Sequence, residues 1–261
     1  MSRLIEREDI GHVARLTLNS PQNFNALSMR MIDALSDALR EIETDEHVRA
    51  VILAGAGKAF CAGHDLREMQ AARGDTDAGR GAYDTLFNRC AGMMQMLPAL
   101  PQPVIAQVHG VATAAGCQLV ASCDLAVAAE GTRFGVNGVN IGLFCATPMV
   151  ALTRAVPAKA AFEMLTTGEF IDAARARELG LINRVAPPES LAEETLHMAH
   201  AIAAKLPIAV RMGKRAFHAQ RGLSLSDAYS SAGETMCENM MLPETDEGIS
   251  AFLEKRKPRW S

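Results

Sequence analysis

Over the first 150 residues, short apolar runs of strand length alternate with stretches of helical period; beyond Pro148 the apolar positions recur at helical spacing almost without interruption. Leu4–Glu8 and Val13–Leu18 flank Asp9-Ile10-Gly11-His12 and predict an opening β-hairpin. Ser28 precedes Ile32, Leu35, Leu39 and Ile42, so a helix capped by Ser28 should run to Thr44-Asp45. Ala50–Ala54 (AVILA) has no polar alternation, as expected of a parallel strand buried on both faces. Polar, glycine-rich Ala71–Gly81 predicts a surface loop, and Ala82–Leu97 a helix ended by Pro98. Val104–Val108, Leu125–Ala128 and Arg133–Gly135 predict further strands, with a helix from about Ala114 to Ser122 between the first two. Later helices are expected at Met149–Val156, Lys159–Thr167, Ala173–Leu179, Ser190–Lys205, Ile208–Gly222, Ser224–Met240 and Glu244–Lys255, with only Leu181–Val185 extended. The class is α/β: βα units around a largely parallel sheet, followed by a helical layer. Met164, Met198, Met212 and Met236 suit packing or subunit contacts in that layer.

Charge and cysteine usage narrow the function. The net charge of −4 and the scattered Lys and Arg argue against a nucleic-acid surface. Six cysteines (61, 90, 117, 123, 145, 237) form no CxxC pair and no zinc spacing, and read as reduced thiols. His197 and His200 share a helix face without a third ligand, so no metal site is expected. MSRLIERED carries acids and no apolar core, hence the expectation of a cytoplasmic protein. Cys90–Cys123 lacks charged residues and is long enough to span a membrane, but Pro98, Pro101, Pro103, Gly110 and Gly116 divide it into shorter elements. Gly55-Ala56-Gly57-Lys58 lacks the GxxxxGK[ST] spacing of a phosphate-binding loop.

Two strand-to-helix junctions carry the candidate chemistry. Ala62-Gly63-His64-Asp65 and Ala114-Ala115-Gly116 both join a strand end to a helix start through residues with almost no side chain. Small residues there either let buried elements pack or let a ligand approach backbone N–H groups. If the sheet brings the junctions together, the N–H groups of His64 and Ala115 can point at one oxygen, the second with the positive end of a helix dipole behind it. That arrangement polarises a thioester or other carbonyl, each donor contributing roughly 10²–10³ in rate.

Taken with NSPQNFNAL, AFCAGHDL, QPVIAQVHGVATAAGCQLVASCDLAVAAEGTRFG, LTTGEFIDAARARELGLINRV and EGISAFLEKRKPRW, the chain resembles the crotonase superfamily, the enoyl-CoA hydratase/isomerase family. HDL and AAGCQLVASCD are most similar to its mitochondrial hydratase-domain-containing members that lack the catalytic glutamates. The resemblance implies a ββα spiral core over residues 1–190 and a helical trimerisation region over 191–261. It implies an acyl-CoA thioester as partner, no separate cofactor because coenzyme A is part of the substrate, and a homo-trimer or hexamer. It places the oxyanion donors at His64 and Ala115. It puts Phe24, Ala26, Ala62, Asp65, Leu66 and Arg67 along the coenzyme A path, with the Ala62 carbonyl offered to the adenine. Phe252 and Lys255 match tail positions that reach a neighbouring subunit's coenzyme A.

The resemblance also marks a departure. The two glutamates with which hydratases hold and split water fall on Gln118 and Gly138, and no Asp or Glu lies between Arg133 and Arg154. Gln118 can orient water but cannot exchange protons at neutral pH, and Gly138 has no side chain. Hydration is therefore expected to be weak, the alternative being a non-catalytic acyl-CoA binder. Cys145 reads as either a nucleophile or a small apolar wall, and the wall is favoured because no base adjoins it in sequence. His109 reads as a hydrogen-bonded core histidine, and Asp124 as the holder of a turn or helix end.

Overall fold

The structure is a computed structural model that describes residues 3–260. Met1, Ser2 and Ser261, the outermost residues of the two expected regions, lie outside the described residues. β1 (Ile5–Ile10) and β2 (Val13–Leu18) form the hairpin, paired from Ile5↔Leu18 to Ile10↔Val13 around Gly11 at φ 60°. α1 (Met29–Glu43) starts where expected, the Ser28 hydroxyl accepting from the Met31 N–H. β3 (Ala50–Gly55), α2 (Leu66–Ala72), α3 (Arg80–Ala99), β4 (Val104–Val108), β5 (Val111–Thr113), α4 (Ala115–Ser122), β6 (Leu125–Ala129) and β7 (Arg133–Gly135) follow. Next come α5 (Ala146–Ala155), α6 (Ala158–Thr167), β8 (Ile171–Asp172), α7 (Ala173–Glu178), β9 (Arg184–Ala186) and α8 (Leu191–Ala203). The chain ends in α9 (Pro207–Gln220), α10 (Leu225–Met240) and α11 (Pro243–Leu253).

Six strands form one sheet in the order β1-β2-β3-β4-β6-β9, parallel except for the β1–β2 hairpin. Its central strands alternate between two buried faces. Val51, Leu53, Val104, Ala106, Ala126 and Ala128 enter the larger core with α1, α3 and α4, while Ala50, Ile52, Ile105, Val127 and Ala129 face α8. Burial on both sides explains why these runs read as continuously apolar. A second sheet, β5-β7-β8, was not expected as such: β5 and β8 have three and two residues, too few to show a period. Gly110, at φ +64°, carries the chain from one sheet to the other, and a Cβ there would lie 2.1 Å from the Lys58 carbonyl oxygen.

Several boundaries differ from the expectation, among them the segment expected to be extended at Leu181–Val185, where the strand is Arg184–Ala186. α3 continues past Pro98 because the Leu100 N–H still reaches the Met96 carbonyl at 2.8 Å. The expected division at 190/191 falls before α8, yet Leu191, Met198, Ala199 and Ala203 of α8 pack on the sheet. What stands off the core is α9–α11, whose buried residues are only Lys214 and Ala251. Cys90–Cys123 divides into α3, β4, β5 and α4, and no helix among the described residues is long and apolar enough to cross a membrane.

Candidate functional site

Three segments distant in sequence are knitted together at the N-terminal end of α4. The Ala62 N–H donates to the Phe24 carbonyl (3.0 Å) and the Leu27 N–H to the Gly63 carbonyl (2.7 Å). The Cys61 N–H donates to Val111 (3.2 Å) and the Thr113 N–H to Cys61 (3.1 Å), so residues 61–63 run beside β5 to the start of α4. Glycine makes the approach possible. A Cβ at Gly116 would lie 2.1 Å from the Cys61 carbonyl oxygen, and one at Gly63 (φ +90°) 3.2 Å from the Ala115 nitrogen. The two junctions are thus one place in the fold.

Ala114 is the strained residue there, at φ 49° and ψ −119°. A non-glycine residue in that region costs about 1–3 kcal/mol, sustained here by the Ala114 N–H bond to the Gly135 carbonyl at 2.9 Å. No side chain caps α4, and among the described residues neither the Ala115 nor the His64 N–H has an acceptor. Two backbone N–H groups without an acceptor thus lie at adjoining turns, one of them at a helix N-terminus, where backbone donors can in general bind a negatively polarised oxygen.

The His64 ring is placed by Nδ1 against the Leu27 carbonyl at 3.3 Å and edge-on to Phe87 at 5.7 Å between centroids. A carbonyl only accepts, so Nδ1 carries the proton; Nε2 is buried without a partner. Burial holds the His64 pKa below its usual value, and the hydrogen bond to Leu27 opposes that only in part. Asp65 caps α2, accepting from the Arg67 and Glu68 N–H groups at 2.9 and 3.4 Å, so Leu66 and Arg67 occupy its first turn. Phe24, at φ 54°, is half exposed beside buried Ala26.

Gln118, one turn into α4, is buried with Oε1 unpartnered. Gly138 lies in a 3₁₀ turn (Asn137–Ile141), and the space a side chain would take is filled: a Cβ there would be 2.2 Å from the Leu143 carbonyl oxygen and 2.8 Å from the Cys145 Sγ. Cys145 is buried and its thiol pKa is raised by that burial, consistent with a wall. Phe252 (82% exposed) on α11 and Lys255, exposed in the turn that follows it, are not among the residues bonded into this cluster.

Three features escaped the reading of the sequence. Asn25 is fully buried and organises the loop before α1: Nδ2 donates to the Ala56 and Ala59 carbonyls at 2.8 Å, and Oδ1 accepts from the Ser20 N–H at 2.9 Å. Its position in a polar, turn-rich stretch was the available signal. A cavity of about 700 Å³ lies at the opposite end of α4, lined by Met94, Gln118, Ser122, Asp124, Val150 and His218 and by no residue of either junction. Asp124 does hold the exit of α4, but it also pairs with Lys214 and His218, some 90 residues away. His109 differs in place rather than role: Nε2 bonds the Gly57 carbonyl at 2.9 Å, on a half-buried surface turn instead of in the core.

The family profile described as enoyl-CoA hydratase/isomerase matches residues 8–261. The chain belongs to the enoyl-CoA hydratase/isomerase family. Among its relatives is the enoyl-CoA hydratase domain-containing protein 3, mitochondrial, of Xenopus laevis, 45% identical over 95% of this chain and 83% of that protein. The crystal structure of an enoyl-CoA hydratase from Mycobacterium smegmatis is similar at 54% identity, 99% coverage of both chains and a TM-score of 0.95. That of the human hydratase domain-containing protein 3 is similar at 41% identity, covering 99% of this chain and all of that one, with a TM-score of 0.94. The crotonase-like fold and the family are therefore as expected. The cytoplasmic expectation is not: the Xenopus relative and four further vertebrate relatives at 43–44% identity are mitochondrial proteins by name, which overturns a compartment inferred from MSRLIERED.

Proposed function

We propose that this enoyl-CoA hydratase/isomerase family member binds an acyl-CoA thioester and polarises the thioester carbonyl between the N–H groups of His64 and Ala115. The observation that carries this reading is their adjacency without any acceptor of their own, behind a strained Ala114. Phe24, Ala26, Ala62, Asp65, Leu66 and Arg67 line the coenzyme A path in this reading, and the Ala62 carbonyl, which accepts no hydrogen bond from the described residues, faces the adenine. Coenzyme A arrives with the substrate, and no separate cofactor takes part.

The reaction is lyase or isomerase chemistry through a thioester enolate, with ordinary hydration weak. Gln118 orients water without exchanging its proton, and Leu143 and Cys145 crowd the side of Gly138 where a second acid would stand. Losing a positioned acid or base costs about 10²–10⁴ in rate. The same crowding favours a second reading, a non-catalytic acyl-CoA binder. A homo-trimer or hexamer is the proposed assembly, supported by Leu225, Tyr229, Met241 and Phe252, which stand exposed on α10, α11 and the turn between them.

A panel of acyl-CoA thioesters followed by mass spectrometry for binding and conversion tests both readings. Conversion in the wild type that is lost in Ala115→Pro supports the enzyme. Binding without conversion supports the binder, and no binding of any thioester contradicts both.

A further inference from the structure

α9 is a 14-residue helix whose one buried residue is a lysine. The Lys214 Nζ lies 2.8 Å from the Leu97 carbonyl, 2.9 Å from the Gln102 carbonyl and 2.7 Å from Asp124 Oδ2. An ammonium has three protons, and all three are used. Asp124 is equally committed. Oδ2 also accepts from the Val104 N–H at 2.7 Å, Oδ1 pairs with His218 Nε2 at 2.8 Å, and the Asp124 N–H returns to the Val104 carbonyl at 3.0 Å. The side chains of Lys214 and Asp124 are 5% and 13% exposed.

Asp124 thereby closes Val104–Asp124 into a loop, and this loop contains β4, β5, α4 and the Ala115 junction. Apolar contacts are non-directional and tolerate sliding, whereas a buried ion with fixed acceptors admits one geometry. Beyond Lys214, α10 buries nothing and α11 only Ala251.

We propose that Lys214 is a positioning residue whose socket, formed by Leu97, Gln102 and Asp124, fixes the direction of the α9–α11 arm and the placement of α4 through one shared carboxylate. The socket stands on these contacts, beside which α9 is also held by the Arg221 guanidinium donating to the Arg154 carbonyl at 2.7 Å; its consequence for ligand rests on the reading of Ala115 as a carbonyl donor.

Hydrogen–deuterium exchange on the full-length Lys214→Met variant is the test, with crotonyl-CoA titration alongside. The expected result is at least tenfold faster exchange in α9–α11 together with Leu119–Ser122 of α4, while β2 and β3 keep their protection. Asp124→Asn should give the same pattern, and the double variant should loosen the arm by less than the sum of the two single ones, because the Lys214–Asp124 contact is lost in both. Crotonyl-CoA affinity should fall at least fivefold in Lys214→Met. The proposal is overturned if the arm keeps its protection, if the arm loosens without α4, or if every element loosens alike. A wild type that binds no crotonyl-CoA contradicts the thioester reading and leaves the exchange result to decide the socket; equal affinity in wild type and variant refutes the link between them.

Discussion

The two ends of α4 are opposites in how they treat polar groups. At the C-terminal end the Asp124 carboxylate has partners from three directions, Val104, Lys214 and His218, and every proton of the Lys214 ammonium has an acceptor. At the N-terminal end two backbone N–H groups have no acceptor among the described residues, no side chain of those residues caps the helix, and the residue before it is held in a strained conformation. A satisfied buried network is architecture, since its groups have nothing left to offer a ligand. Unpaired donors at a helix start cost stability unless something outside the chain completes them. The contrast lies within the ten residues Ala115–Asp124.

The largest expected effect is at the satisfied end. Lys214→Met leaves Asp124 buried with a partner missing and should destabilise the fold by about 3–5 kcal/mol in denaturant titration. At the unsatisfied end, replacing the Ala115 amide by a backbone ester should cost roughly 10²–10³ in any thioester turnover and about 1 kcal/mol or less of stability, since that N–H has no acceptor among the described residues to lose and only the Ala114 carbonyl, which accepts from the Gln118 N–H at 3.0 Å, is weakened. Gly138→Ala comes next: its Cβ must displace the Leu143 carbonyl, at a cost of about 1–3 kcal/mol, and Gly138→Glu should therefore not restore hydration even beside Gln118→Glu. Ala114→Gly should relieve strain and raise stability by about 1 kcal/mol in the same titration, less whatever the glycine gains in the unfolded chain. The smallest effect is on pH dependence. Burial lowers the His64 pKa from its ordinary 6.5, so below that value the unfolded chain binds the extra proton. Stability should rise with pH through that window and flatten above 6.5, and His64→Gln should remove this part of the slope.

What could be read in the sequence was local. Ser28 and Asp65 were legible as caps because a cap needs only the next three residues, and both side chains accept where expected. AVILA and Val104–Val108 were legible as strands because both of their faces are buried. The pairing of the His64 and Ala115 junctions was visible only through resemblance, since 50 residues separate them. Asn25 could not be read because its acceptors lie at residues 56–60, and Lys214 looked like any lysine on a helix until Asp124 was placed against it. Gly138 was legible as a position without a side chain, but the lack of room for one beside Leu143 and Cys145 was not.

Infrared spectroscopy of crotonyl-CoA labelled with ¹³C at the thioester carbonyl tests the central claim most directly, because it reads polarisation whether or not turnover follows. A lower carbonyl stretching frequency is expected on binding to the wild type, with a return towards the free value in the Ala115 backbone ester while the ligand stays bound. A bound thioester that keeps its solution frequency, or a shift that the ester leaves unchanged, would contradict that claim.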